Sequence, residues 1–183
     1  MNASHDIYLH RIHAALKKLG ADPLLVEQRR LPVHREAQTL TPIGLGTDGR
    51  DKFATPATAR AWAAMQNAAW ADGVALILHS AYRGFDYQLK LITAKLARGM
   101  PLDEVLRINA PAGCSEHHSG RALDIGSPDT PPLEESFEET PAFAWLAERA
   151  TGFGFRLSFP RDNRYRFLYE PWHWYFRGVR GPR

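Results

Sequence analysis

Apolar positions change period several times along this chain, and each change marks an element. Over residues 6–19 Ile7, Ile12, Ala15, Leu16 and Leu19 fall on one helical stripe, and Gly20 follows as a stop. Residues 20–54 hold short apolar stretches among Pro, Gly and charge, which predicts irregular structure with one short strand. Thr55 and Pro56 read as an N-cap and first helical position, opening a helix through Ala59, Trp62, Ala63, Gln66, Ala69 and Trp70 that stops near Gly73. VALILHSAYR, residues 74–83, reads as a buried strand. A helix over 85–98 closes at Gly99, and a shorter one covers 102–107. The loop NAPAGCSEHHSGR then leads into a second strand, ALDI, and residues 127–139, with three prolines and four glutamates, read as an exposed insertion. Thr140 and Pro141 repeat the cap pattern and start a helix to about Ala150. The remainder, GFGFRLSFP and RFLYEPWHWYF, is aromatic and strand-like. Helices on a small, mostly antiparallel sheet give an α+β fold. With no internal repeat and no long linker, residues 1–183 are expected to form one domain, with 1–50 as an N-terminal helix and irregular extension.

Composition narrows this only a little. A chain of 183 residues, 44% hydrophobic and 23% charged, is enough for one well-cored soluble domain. The net charge of +3 is mildly basic, but there is no long Lys/Arg block and no nucleic-acid-binding motif, so nucleic acid is not expected as a partner. The single cysteine, Cys114, excludes an internal disulfide and reads as a small packed side chain. His10 and His13, one turn apart on the first helix, read as a solvated pair. No run approaches the length of a membrane span, and the N-terminus has no unbroken apolar region of a secretory signal. As written, the chain is expected to be cytoplasmic.

The chemistry is concentrated in SEHHSGRALD, residues 115–124, and EPWH, residues 170–173. They offer His117, Asp124 and His173 as metal ligands, with Glu170 beside the last. Two imidazoles and a carboxylate suit a catalytic zinc, which keeps three protein ligands and leaves a fourth position open. A nearby carboxylate completes a metallohydrolase. The spacings are awkward, however. His117 and Asp124 are seven apart and Glu170 and His173 three apart, so a regular strand would send each pair to opposite faces. A turn at Ser119-Gly120 and a bulge or strand end at Pro171 are therefore expected. His118, adjacent to His117, is expected to point elsewhere.

SEHHSGRALD fits S-x-H-x-x-G-x-A-x-D, and EPWH fits E-x-W-H. HSAYRGFDYQ, residues 79–88, fits S-x-Y-R-x-x-x-x-Q at Ser80, Tyr82, Arg83 and Gln88. In that order these motifs resemble the zinc D-alanyl-D-alanine carboxypeptidases of the VanY type, over about residues 55–177. The wider group holds lysostaphin-like peptidases, D-Ala-D-Ala dipeptidases and the hedgehog signalling domain. The resemblance implies Zn2+ held by His117, Asp124 and His173. It implies Glu170 as general base and Arg83 as stabiliser of the transition state. Ser115, with Gln88 and Tyr82, would help hold the substrate's terminal carboxylate. The substrate implied is a peptidoglycan stem peptide or muropeptide losing its C-terminal D-alanine.

Other readings follow from the same resemblance. An L,D-carboxypeptidase or a D-Ala-D-Ala dipeptidase would use the same residues in a different pocket. A hedgehog-like zinc-containing binding module needs neither Glu170 nor Arg83. The family's usual substrate lies outside the cytoplasmic membrane, in the periplasm or cell wall, which stands against the missing signal. The arginines of RDNRYR, residues 161–166, offer a solvated turn or a handhold for acidic muropeptides. The aromatic run of Trp172, Trp174, Tyr175 and Phe176 is expected to pack the sheet, with part of it lining the pocket.

Overall fold

The computed structural model describes residues 3–178. The first helix, α1 (Ala3–Lys18), ends before Gly20, whose φ of 79° turns the chain out of the helix. Its buried stripe is Ile12, Ala15 and Leu16, while Ile7 is 71% exposed. Ile7 lies five residues before Ile12, about 140° round a helix, so it falls outside the stripe assigned to it. Tyr8 and Leu9 pack against the core on that turn instead.

Residues 20–54 hold more regular structure than their composition predicts. A single turn, α2 (Leu25–Gln28), is followed by a hairpin of β1 (Thr41–Leu45) and β2 (Asp51–Ala54). Pro42 and Gly44 hide β1 from a strand reading, and the pairing register breaks between Pro42 and Leu45, with Gly44 at φ 112°. Helix α3 (Pro56–Ala71) starts as expected, with the Thr55 hydroxyl accepting from the Thr58 amide. Strand β3 is shorter than the apolar run suggests, covering Ile77–Ser80. Helices α4 (Phe85–Ala97) and α5 (Leu102–Ile108) follow, then β4 (Ala122–Gly126), α6 (Pro141–Arg149), β5 (Phe155–Leu157) and β6 (His173–Phe176). The stretch RFLYE is not a strand.

The main sheet is antiparallel throughout, in the order β3-β4-β6-β5. This is the α+β architecture expected. One face carries Leu123, Ile125, Phe155, Trp174 and Phe176 into a core with Trp62 and Met65 of α3 and Leu146 of α6. Phe137, within the largely exposed insertion, is buried in this core. A lone aromatic among four glutamates gives no periodicity from which burial can be read. The opposite face carries Ala122, Asp124, His173 and Tyr175, since alternate residues of a strand share a side. Beyond it, α1 closes a second core around Phe85, Cys114, Phe159 and Phe167. No helix among the described residues is long and apolar enough to cross a membrane.

At the start of α6 the Thr140 hydroxyl accepts from the Phe143 amide at 3.1 Å. Thr140→Ala is expected to lower stability by about 1 kcal/mol. The check is the urea midpoint at unchanged slope.

Candidate metal centre

Two tight turns solve the spacing problem. After Ser115 the chain forms one 3-10 turn, Glu116–Ser119, and leaves it at Gly120 with φ 64°. The Gly120 amide donates back to the His117 carbonyl at 3.1 Å. A β-carbon on Gly120 would stand 3.1–3.2 Å from Leu40, Ala37 and Thr55, so both backbone freedom and close approach require glycine there. At the other motif the His173 amide donates to the Glu170 carbonyl at 3.1 Å, a four-residue turn with Pro171 at its second position. The turn sits directly before β6, and β6 pairs His173 opposite Asp124 of β4.

His117, Asp124 and His173 thus meet, each offering a ligand atom within 4.8 Å of the others. His117 Nε2 lies 3.3 Å from Asp124 Oδ1, and His173 Nδ1 lies 3.1 Å from the same oxygen. The outer nitrogens are occupied. His117 Nδ1 is 2.6 Å from the Ala81 carbonyl, which fixes it as the donor and leaves Nε2 free to ligate. That Nε2 is buried with no hydrogen-bond partner. His173 Nε2 is 3.0 Å from a Glu116 carboxylate oxygen, leaving Nδ1 turned toward Asp124. An orphaned imidazole nitrogen, a second imidazole and a carboxylate fit a zinc ion. His118 turns away, its Nδ1 on the Arg83 carbonyl and its Nε2 accepting from the Gly113 amide.

The charges are strongly perturbed. Burial and then the Arg83 charge push His117 down to about 4. Burial also opposes a charge on His173, but hydrogen bonds to Asp124 and Glu116 outweigh it and raise His173 to about 10. Burial works against the Asp124 carboxylate too, yet His117, His173 and Arg83 hold it well below its usual range. Glu170 goes the other way: burial dominates and pushes it up to about 7. Its carboxylate is 3.6 Å from His173 Nδ1 and faces the cluster. A carboxyl poised near neutrality beside a metal-ligand set is the disposition of a general acid and base.

The cluster opens into a cleft of about 290 Å³ lined by Arg83, Lys95, Asp124, Glu134, Glu170 and Trp172, among others. Arg83 reaches in to 3.8 Å from Asp124, and its buried Nε has no partner. Ser115 lines the inner end of the site and makes no side-chain cap bond to its turn. Gln88 lines it too, with its amide nitrogen on the Ala110 carbonyl at 2.9 Å and its buried oxygen unpartnered. Tyr82 does not line this space. Its hydroxyl lies 3.5 Å from Glu36, a supporting place rather than a substrate-facing one. The arginines of residues 161–166 divide: Arg161 does not line the cleft itself but pairs with Glu135 and stacks on Tyr169, which do, while Arg164 and Arg166 border another hollow with Arg29 and Arg30. Of the aromatic run, Trp174 and Phe176 pack the core and Trp172 borders the cleft.

Two site residues escaped the sequence reading. Glu116 is buried and orients His173, though only its place beside His117 hinted at a role. Lys95 stands on α4, where a lysine three turns into a helix carries no signal; burial lowers its pKa in the cleft. The N-terminal extension also acts on the site. The His34 amide donates to Gly113, Ala37 to His118, and the Glu36 carboxylate accepts from the Phe85 amide at the start of α4. Cys114 is packed beneath, and burial pushes its thiol up to about 12, which keeps it protonated and inert.

The D-alanyl-D-alanine carboxypeptidase family VanY matches residues 52–179. The chain belongs to this family. It is 34% identical over 139 residues to a D-alanyl-D-alanine carboxypeptidase of Enterococcus faecium, an alignment covering 74% of this chain and 41% of that one. The chain therefore spans about two fifths of that relative's length. Among solved structures it resembles the LdcB LD-carboxypeptidase, with a TM-score of 0.71 and 27% identity over 80% of this chain and 72% of the other. It also resembles a mutant of the vancomycin-resistance D,D-pentapeptidase VanY in complex with Zn(II), with a TM-score of 0.63 and 25% identity over 81% and 83% of the two chains.

Glu116→Gln keeps the shape of the side chain and removes the charge that orients His173. It is expected to weaken zinc affinity by about 10- to 100-fold without unfolding the protein. Competition with a chromophoric chelator measures it, and an unchanged affinity would assign Glu116 a packing role only.

Proposed function

We propose that this VanY family member is a zinc metallopeptidase that removes the C-terminal D-alanine from peptidoglycan stem peptides. The observation that carries the reading is the convergence of Glu170 and Arg83 on the His117, Asp124 and His173 cluster, because a purely structural metal site has no use for either. Membership of the family and the fold shared with peptidases of known substrate support it.

His117 Nε2, Asp124 and His173 Nδ1 are the groups that would hold zinc. Bound there, zinc supplies Lewis acidity and a water that is nucleophilic at neutral pH. Glu170, raised toward neutrality by its burial, takes the proton from the attacking water and hands it to the departing amine. The Arg83 guanidinium faces the negative charge that grows on the peptide oxygen. The Ser115 hydroxyl and the second N–H of the Gln88 amide nitrogen, at the inner end of the site, donate to the terminal carboxylate of the peptide, and Lys95 adds a positive charge nearer the mouth. Glu116 keeps the His173 ring in place. The N-terminal extension is read as part of the same peptidase unit, a reading supported by the His34 and Ala37 amides, which brace the loop that carries His117. A second reading, an L,D-carboxypeptidase acting on tetrapeptides, is favoured by the likeness to the LD-carboxypeptidase LdcB.

Defined peptides separate the two. The panel is a pentapeptide ending in D-Ala-D-Ala, the matching tetrapeptide and free D-Ala-D-Ala, each incubated with zinc-loaded protein and analysed by mass spectrometry. Chelator-sensitive loss of one alanine from the pentapeptide is expected; loss from the tetrapeptide alone moves the assignment to the L,D class. Glu170→Ala is expected to bind zinc normally and lose about 100-fold or more in turnover. Turnover near that of the unaltered protein would remove Glu170 from the role of base.

A further inference from the structure

Arg121, Arg156 and Arg177 are distant in sequence and adjacent in space. Arg121 precedes β4, Arg156 lies in β5 and Arg177 follows β6. Antiparallel pairing brings them together: the Phe176 amide donates to the Arg121 carbonyl and the Arg177 amide to the Gly154 carbonyl, both at 2.8 Å, and Arg156 stands opposite Tyr175. All three border one cavity of about 560 Å³, completed by Thr151, Gly152, Gly154, Tyr175 and Gly178. No residue lining it lines the metal cleft. Tyr175 is two residues beyond His173 on the same sheet face, with the His34 ring packed 6.1 Å from its own.

Among the described residues the cavity has no carboxylate in its wall, and none of the three arginines makes an ion pair with another described residue. Some arginines elsewhere on the surface do find carboxylates. Arg11 pairs with Glu36 and Asp86, Arg149 with Asp72, and Arg161 with Glu135 and Glu138. Tyr175 is the one aromatic residue among the described residues of the wall, and its centroid lies 5.5 Å from the Arg121 guanidinium and 5.7 Å from that of Arg177. Three like charges around one hollow repel until a counter-charge sits among them. The guanidinium fork matches the oxygens of phosphate in paired hydrogen bonds. The cavity is larger than a phosphate ion and offers a ring face beside the charges.

We propose that this cavity binds a phosphate group carried by a larger ligand, as an anchoring site separate from the peptidase centre. The phosphate comes either from a free phosphorylated small molecule or from the repeat of a phosphodiester polymer. The inference does not depend on the peptidase reading, since its readout is binding alone.

The test is calorimetric titration of the zinc-loaded full chain with inorganic phosphate, glycerol phosphate and a poly(glycerol phosphate) chain. Binding is expected for all three, weakened at least tenfold in the double variant Arg156→Ala/Arg177→Ala and unchanged in Arg30→Ala, which alters the other arginine hollow. Both residues of the double variant are exposed, so its melting temperature is expected to hold. Clearly tighter binding of the polymer than of glycerol phosphate identifies the polymer as the source; equal binding identifies the small molecule. In the unaltered protein, phosphate is expected to shift the amide resonances of Gly152, Gly154 and Tyr175 and to leave those of Glu170 and Trp172. No binding at millimolar phosphate, full binding by the double variant, or shifts confined to the metal cleft would each overturn the proposal.

Discussion

The pairing of β4 with β6 is the constraint on which the rest of the structure depends. It sets Asp124 opposite His173 and carries both on the face away from the main core. A slip of one residue would turn them into the layer now filled by Leu123 and Trp174 and bring those apolar groups to the cleft. Register is held because the other face buries Leu123, Ile125, Trp174 and Phe176 against α3 and α6. The core on one side of the sheet therefore fixes the chemistry on the other.

Such a site demands that charge be buried, which is costly unless each charge is matched. Here the matching is local. Asp124 faces His117, His173 and Arg83; His173 is held between Asp124 and Glu116; His117 donates to a backbone carbonyl. Glu170 is the exception, a carboxyl whose burial is not fully compensated and whose affinity for a proton rises accordingly. The group with the least settled charge is the one proposed to move protons. The turn at Gly120, pressed against Ala37, Leu40 and Thr55, ties this arrangement to the N-terminal extension.

Much of this was legible in the sequence, for identifiable reasons. The Thr-Pro pairs at 55–56 and 140–141 declare helix starts because cap and first-turn chemistry is local. The candidate cluster was legible because His117, Asp124, Glu170 and His173 stand in short motifs, and their odd spacing demanded turns, which are present at Gly120 and Pro171. What was not legible depends on partners far along the chain. The β1–β2 hairpin is written with Pro42 and Gly44, residues that argue against strands. Phe137 is buried by tertiary packing alone, and Ile7 is apolar yet lies off the buried stripe. Tyr82 sits inside a motif but turns to Glu36, a residue of the extension whose position no local pattern reveals.

Two turns from separate motifs bring His117, Asp124 and His173 together as the proposed metal centre. Zinc-edge X-ray absorption on the zinc-loaded protein tests it most directly. Two imidazole nitrogens and oxygen donors at about 2.0–2.2 Å are expected, with loss of bound zinc on dialysis of His117→Ala. A sulfur scatterer at about 2.3 Å, or an unchanged spectrum from His117→Ala, would contradict it.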